Sequence, residues 1–509
     1  MQWLDRVVEE IIAKHPTGEL LVESGVSPSG TYHVGTLREV LTADAIMLVL
    51  RQRGRQAKHI HYVDDLDPLR KVPTNVPADF EQYLGKPYCD IPAPSNTDQS
   101  YADFFLDDFL GAARKLKLEM GVIRSHQKYR SGAMTEAIEK ALAQADKIGQ
   151  ILAKVSGHKV DENWSPIQII EGGYLKSRRF EGIDTNVKTI DYLDADGQKQ
   201  MISYDGGEVK LNWRVDWPAR WWLLGVQAEP FGRDHATKGG SYDTGAAIVK
   251  EIYGAEPPLP IPYHFINLTG ETKKMSKSSG NIIAVSELVE IMPPEVVRYF
   301  VLRLPPDKQL FFDQVAGVVR LIDDFAALLA KPAKTASQKQ LIELSTNGIE
   351  PTVSQVPFSH LVASYQAALK DPDKTLEVLN RSEYHEAVEQ QRELIKKELG
   401  FIDRWLNKWA PAEVKFALAK KISAADFSTE EKQQLAALAD KITEASKDAD
   451  GEWFHKQIYE LAEQFKVEPK AIFTALYKAL IGATAGPRAG WFLSILPRDW
   501  LLKRLRLEA

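Results

Sequence analysis

Two short segments carry the residues best suited to chemistry. In SPSGTYHVGT, residues 27–36, a strand runs through a tight turn into a helix. Such a turn presents free backbone N–H groups and the positive end of the helix dipole, so it is a ready anion site. Gly30 and Gly35 let a phosphate approach the backbone. His33, at the first helical turn, can donate a hydrogen bond to charge building on a phosphoryl oxygen during displacement. In KKMSKSSGN, residues 273–281, Lys274 and Lys277 bracket Met275 and Ser276 on a loop rich in serine and glycine. Two ammonium groups so placed can hold the charge that develops on a departing pyrophosphate. Taken singly, the first segment is ordinary strand–turn–helix about half the time, and a lone lysine pair is a solvated basic loop about nine times in ten. Their conjunction is what carries weight.

The elements that must position these residues follow from the hydrophobic pattern. ELLVES (Glu19–Ser24) reads as a buried strand, HVGTLREVLTADAIMLVLRQRG as a helix stopped by Gly54, and AKHIHYVDD as a second strand. Strand, turn, helix and strand within about forty residues make a right-handed βαβ unit, the seed of a doubly wound parallel sheet. The fold class is therefore α/β, a Rossmann-type catalytic domain with an insertion, followed by an all-α C-terminal half. A proline-rich stretch (Pro73–Pro94) leads into helical segments at Tyr101–Met120 and Ala133–Val155, and GVIRSHQKYRSG between them is expected to add a strand ending at Arg130 and Ser131. Alternating residues and turn signals from Trp164 to Asn212 predict a small antiparallel module. The expected divisions are 1–72 and 213–285 for the two parts of the catalytic domain, 73–212 for remaining strands and inserted modules, and then 286–350 and 351–509. A charged stretch, Lys331–Pro357, is expected to separate the two helical parts.

Composition bounds the rest. A chain of 509 residues exceeds a single hydrophobic core and implies about three or four domains. Hydrophobic residues at 44% and charged residues at 26% describe a folded globular chain, not a disordered one. A net charge of −6 excludes a surface coated throughout for nucleic-acid binding but leaves room for local basic stripes, such as Arg498, Lys503, Arg504 and Arg506. The one cysteine, Cys89, permits no internal disulfide and no cysteine zinc cluster, which suits a reducing, cytoplasmic setting. Trp3, Val7, Ile11 and Ile12 mark an amphipathic first helix in place of a signal sequence. The apolar stretch Ala43–Leu50 contains Asp44 and falls short of the ~20 residues of a membrane span, so no membrane role is expected.

In order, placement and spacing, SPSGTYHVGT and KMSKS resemble the two signatures of class I aminoacyl-tRNA synthetases; Thr36 stands where the first signature usually ends in a second histidine. SGVSPSGTYHVGT, DDLDPLRKVP, WRVDWPARW and EPFGRDHATKGGSYDTG further resemble the class I type of lysyl-tRNA synthetase, and the likeness extends into the closing PRAGWFLSILPRDWLLKRL. The resemblance implies a stem-contact region and an α-helical cage after the catalytic domain. It implies that Pro28, Gly30, His33, Gly35, Asp234, Met275, Ser276 and Lys277 meet ATP, with His33, Lys274 and Lys277 stabilising the transition state. Gly25, Ser27, Trp213, Trp217, His235 and Tyr263 would surround the amino acid.

The expected reaction activates L-lysine with ATP, carried as its Mg²⁺ complex, to lysyl-adenylate, then transfers it to the 2′ hydroxyl at the 3′ end of tRNA(Lys). An aromatic wall suits the aliphatic stem of lysine, and its ammonium calls for a carboxylate, for which Asp65, Asp216 and Glu256 are candidates. The acids of DDLDPLR suit a structural or ATP-facing role better than a metal cage, and the cysteine-free stretch from His158 to Asn212 implies no zinc. Arg214 and Arg220 keep a glutamate-activating enzyme open, and a non-catalytic tRNA-binding paralogue is the alternative from another class.

Overall fold

The computed structural model describes residues 1–95, 98–157, 164–270, 282–446 and 449–508. The chain folds as two compact units. One comprises Met1–Val289, Val297–Phe312 and Lys334–Ile349; the other comprises Glu290–Val296, Asp313–Ala333 and Glu350–Ala509.

Helix α1 (Gln2–Lys14) buries Leu4, Val8 and Ile11, so the apolar stripe is turned by one residue from the one expected through Trp3 and Val7. Next come β1 (Leu20–Val26), α2 (Thr36–Gln52) and β2 (Ala57–Val63). These two strands pair in parallel from Leu20↔Ala57 to Val26↔Val63. α2 is buried on nearly every side because it lies against β1, β2 and α1. Its charged residue Asp44 is tolerated there by an ion pair of 2.7 Å with Arg298, both side chains being fully buried.

After α3 (Tyr101–Lys115), β3 covers only Gly121–Arg124 and α4 (Ser125–Arg130) follows at once. The strand expected to run to Arg130 is thus cut short. Asp65, at the end of β2, accepts from the His126 backbone N–H and caps that helix from a distance. Helices α5 (Thr135–Ala143) and α6 (Ala145–Ser156) lead to the inserted module of β4 (Ile167–Glu171), β5 (Tyr174–Ser177), β6 (Phe180–Asp184), β7 (Thr189–Leu193), β8 (Lys199–Ser203) and β9 (Val209–Leu211), which forms two three-stranded antiparallel sheets ordered β5-β4-β9 and β6-β7-β8. Then follow α7 (Trp213–Leu224), β10 (Ala228–Gly232), α8 (Ser241–Ile248), β11 (Leu259–Tyr263), β12 (Ile266–Leu268), α9 (Val285–Ile291), α10 (Pro294–Leu302) and β13 (Leu310–Phe312).

Among the described residues the main sheet is all parallel, ordered β11-β10-β1-β2-β3. Strand order reverses between β1 and β10, and in an open α/β sheet ligands bind at the carboxyl ends of the strands flanking that reversal. β12 and β13 form a separate parallel pair.

The remaining elements are helical: α11 (Ala316–Ala330), α12 (Ala336–Thr346), α13 (Phe358–Ala367), α14 (Pro372–Leu379), α15 (His385–Lys408), α16 (Thr429–Glu444), α17 (Gly451–Phe465), α18 (Pro469–Ile481), α19 (Ala489–Ile495) and α20 (Arg498–Leu505). The stretch Lys331–Pro357 is no simple separator: it contains α12, whose start is fixed by a capping box between Thr335 and Gln338 and which belongs to the first unit. Arg498 and Arg504 do not form a free basic stripe. Arg498 donates to the carbonyls of Ile442, Ala445 and Ser446 at the end of α16, and buried Arg504 donates to Ala419. Among the described residues no helix is long and apolar enough to cross a membrane.

Candidate active site

At the reversal point lies a cavity of about 700 Å³. Gly25, Val26 and Ser27 enter it from the end of β1, Asp64 and Asp67 from the end of β2, Gly232, Asp234 and His235 from the end of β10, and Tyr263 and Phe265 from the end of β11. Helix α7 closes one side with Trp213, Asp216, Trp217 and Arg220. All six residues expected to surround the amino acid, and Asp234, are therefore brought together.

The turn expected to hold phosphate follows β1 and begins at Ser27, in the cavity lining. Gly30 adopts φ of 147°, a conformation that side chains resist. The Gly35 N–H donates to His33 Nδ1 at 3.0 Å. That bond makes Nδ1 the acceptor and leaves Nε2 to carry the proton of a neutral imidazole, the donor that a phosphoryl oxygen would need. A Cβ at residue 35 would come within 2.6 Å of the imidazole, so the contact requires glycine. The turn is also tied to the chain that follows the second signature. His33 bridges Ala284 in antiparallel fashion, with Val34 N–H donating to Ile283 O at 2.9 Å and Val285 N–H to Tyr32 O at 3.0 Å. Lys274, Met275, Ser276 and Lys277 themselves lie outside the described residues.

The aromatic wall is continuous. The ring of His235 meets Trp213 and Trp217 edge-on, at centroid distances of 6.2 and 5.5 Å. Trp217 is both core and pocket, packed on Phe231 and Trp221 while lining the cavity. Trp213 is 36% exposed, so it forms the rim.

Behind this wall the cavity is acidic. Glu39, in the first turn of α2, accepts from the Gly25 backbone N–H and from the Tyr263 hydroxyl, each at 2.7 Å. Burial pushes its carboxyl up to about 7 against those two bonds. Glu229 of β10 accepts from the indole N–H of Trp217 at 3.0 Å and from that of Trp221. Burial likewise pushes it up to about 7, although Arg220 and the indoles act the other way. Glu23 of β1 is fully buried with neither oxygen hydrogen-bonded, and burial reinforced by the Glu229 charge drives its carboxyl well above the usual range.

Of the three carboxylates expected to answer an ammonium, only Asp216 lines the cavity, and it is already held by the Tyr129 hydroxyl and by Arg220 at 3.5 Å. Asp65 is turned away into Arg124 and His126, each at 2.6 Å. Glu256 is a surface residue paired with Lys250. Sequence reasoning missed Glu39 and Glu229. A glutamate in a first helical turn is an ordinary dipole partner and gives no signal. Glu229, between apolar residues of a central strand, did give one.

The acids of DDLDPLR are tied to neighbouring side chains, and Asp64 and Asp67 also face the cavity. Asp64 holds the fully buried Lys210 of β9 at 3.2 Å and accepts from Ser125, while Asp67 holds Arg70 at 2.7 Å and accepts from Ser27 at 3.2 Å. Burial raises the Asp64 carboxyl, but Lys210 and Arg220 more than offset this and the net direction is downward. Among the described residues no group of three or more histidine, cysteine, aspartate or glutamate side chains is arranged to hold a metal ion.

The cavity thus combines an acidic, aromatic-walled recess with a neighbouring anion turn. The sequence matches the family described as tRNA synthetases class I (K) over residues 1–348, and an anticodon binding domain over residues 370–508. It is 38% identical to lysine–tRNA ligase 1 of Methanosarcina acetivorans, over 99% of this chain and 98% of that one. It is 36% identical to a lysine–tRNA ligase of Archaeoglobus fulgidus, over 99% of both chains. A glutamate–tRNA synthetase structure from Elizabethkingia anophelis aligns with 97% of this chain and 100% of its own at 14% identity and a TM-score of 0.45. With a family match spanning its first 348 residues and relatives of this identity over nearly its whole length, the chain belongs to the class I (K) tRNA synthetases.

Proposed function

We propose that this chain activates L-lysine with ATP and transfers it to tRNA(Lys), releasing AMP and pyrophosphate. The observation that carries the lysine reading is the Glu39 carboxylate, buried in an aromatic-walled cavity and oriented by Gly25 and Tyr263. An ammonium entering that recess supplies the counter-charge that burial denies the carboxylate, and the stem of the amino acid runs along Trp213, Trp217 and His235. Gly25 and Ser27, at the end of β1, suit the α-amino end.

The lysine carboxylate then attacks the α-phosphate of ATP. Pro28, Gly30, Gly35 and the imidazole of His33 cradle the phosphates, Asp234 flanks the nucleotide, and Met275, Ser276 and Lys277 are assigned to ATP binding as well. Lys274 and Lys277 neutralise the departing pyrophosphate. No protein nucleophile is needed, because positioning and cations placed where charge develops account for this class of displacement. Magnesium enters as the ATP complex, held by substrate phosphates. The terminal ribose hydroxyl of tRNA attacks the adenylate in the second step. Stem contact is assigned to residues 286–350 and anticodon reading to 351–509, where a cavity of about 1370 Å³ is lined by Arg381, Arg488, Trp491 and Arg498. A cytoplasmic site of action fits the tRNA partner.

An ATP–pyrophosphate exchange assay across the twenty amino acids tests the reading: exchange driven by lysine alone is expected, and exchange driven by glutamate in its place would overturn it.

A further inference from the structure

Arg220 is one of the two arginines whose sequence positions kept an acidic substrate in play, and its surroundings argue the reverse. Its guanidinium lies over the Tyr62 ring at 4.1 Å, with Nε 3.5 Å from Asp216, one turn earlier on α7. The groups acting on it come from every neighbouring element: Glu23 of β1, Tyr62 and Asp64 of β2 and its end, Asp216 of α7 itself, and Glu229 of β10. Glu39 of α2 lines the same cavity as Arg220 and also feels its charge. Lys210 of β9, a second cation, is taken up by Asp64 and Asp67 at 3.2 and 3.9 Å. Asp216 and Glu229 are each buried, and charges out of water are sustained only when a counter-charge is at hand.

We propose that Arg220 is a positioning residue for amino-acid recognition, a resident cation that keeps the carboxylates around the cavity ionised and in register, so that the substrate ammonium meets a charged Glu39. This rests on the lysine reading above. A guanidinium suits the task because it stays charged at every relevant pH, is weakly hydrated and stacks on an aromatic face. The acids around it, Asp216 at 3.5 Å and Glu229 and Glu39 in the same cavity, repel a substrate side-chain carboxylate. Without Arg220, the neighbouring carboxyls would hold their protons to higher pH, and the ammonium would meet neutral partners near pH 7.

The test is lysine-dependent ATP–pyrophosphate exchange from pH 6 to 9 by wild type, Arg220→Gln and Arg220→Lys. In Arg220→Gln the lysine KM at pH 7 should rise about 30-fold, with the ATP KM within about twofold. The acid limb of kcat/KM for lysine should move up by about one pH unit, so that the defect shrinks toward pH 9. Arg220→Lys should restore most of the affinity. An unshifted limb, or a pH-independent loss shared equally by lysine and ATP, would overturn the proposal. Should Arg220→Gln fail to fold, Arg220→His replaces it: relative to Arg220→Lys it should lose lysine affinity as pH rises past its titration near about 6.5, and parallel profiles would overturn the proposal. A wild-type protein showing no lysine-dependent exchange would instead overturn the lysine reading, and this inference with it.

Discussion

His33 and Ala284 face one another in an antiparallel bridge, flanked by hydrogen bonds from Val34 N–H to Ile283 O and from Val285 N–H to Tyr32 O. The turn proposed to cradle ATP is thus joined to the chain only seven residues after Lys277, a reach of at most about 25 Å. The junction joins stretches about 250 residues apart in sequence. Val285→Pro removes one of its donors at the first position of α9, where proline is tolerated. We expect the exchange kcat to fall about five- to tenfold, the worth of one hydrogen bond, with the lysine KM little changed. Unaltered kcat in steady-state exchange would show that the junction does not set the loop.

Glu39→Gln keeps an acceptor for the Gly25 N–H and removes the charge. The lysine KM should rise roughly 100-fold while the ATP KM stays near its wild-type value, because only one of the two substrates uses that carboxylate. The wild-type pH profile carries the same information. With Glu39 pushed up to about 7, chiefly by burial, kcat/KM for lysine should fall as pH drops below about 7 and the carboxylate takes a proton. A profile flat from pH 6 to 8 would remove Glu39 from the role.

What the sequence made legible and what it hid divide along physical lines. The βαβ unit and the strand–turn–helix that carries His33 were readable because period and turn chemistry are local, and Trp213 and Trp217 fell on one face of α7 as their spacing requires. The acidic recess was not, because Glu23, Glu39 and Glu229 lie on three elements that only the sheet order brings together. The expected strand through Tyr129 failed for the same kind of reason: a carboxylate sixty residues away, Asp65, caps the helix that replaces it. The terminal arginines looked like a nucleic-acid stripe because charge alone does not reveal that Arg498 and Arg504 are bonded to backbone carbonyls.

Lys277→Ala should abolish exchange, with kcat down by about a thousandfold, if its ammonium stabilises the departing pyrophosphate. Lysine binding, followed by equilibrium dialysis or calorimetry without ATP, should survive, since Glu39, Tyr263 and the aromatic wall are untouched. Near-normal exchange would strip the residue of its role, and loss of lysine binding would mean that the substitution acts through the fold.

The helical unit contains a separate test of buried charge. Three carboxylates there accept from backbone N–H groups of the segment entering α13: Glu295 from Thr352 at 2.6 Å, Glu398 from Ser354 at 2.9 Å and Asp323 from Phe358 at 2.7 Å. Burial pushes Glu398 up to about 8, against the two Ser354 bonds and with help from Asp323 and Glu295. Its folded-state value therefore lies above its unfolded one, so the folded state binds the extra proton and this group's contribution to stability declines as pH rises from about 4.5 to about 8. Glu398→Gln keeps an acceptor for Ser354 and cannot ionise. The variant should match wild type near pH 4.5 and exceed it by on the order of 4 kcal/mol near pH 8.5, read from denaturant unfolding of the helical unit or from amide exchange at Ser354. A variant less stable than wild type at the higher pH would show that Glu398 is ionised in the folded state and that its charge, not its proton, secures the segment.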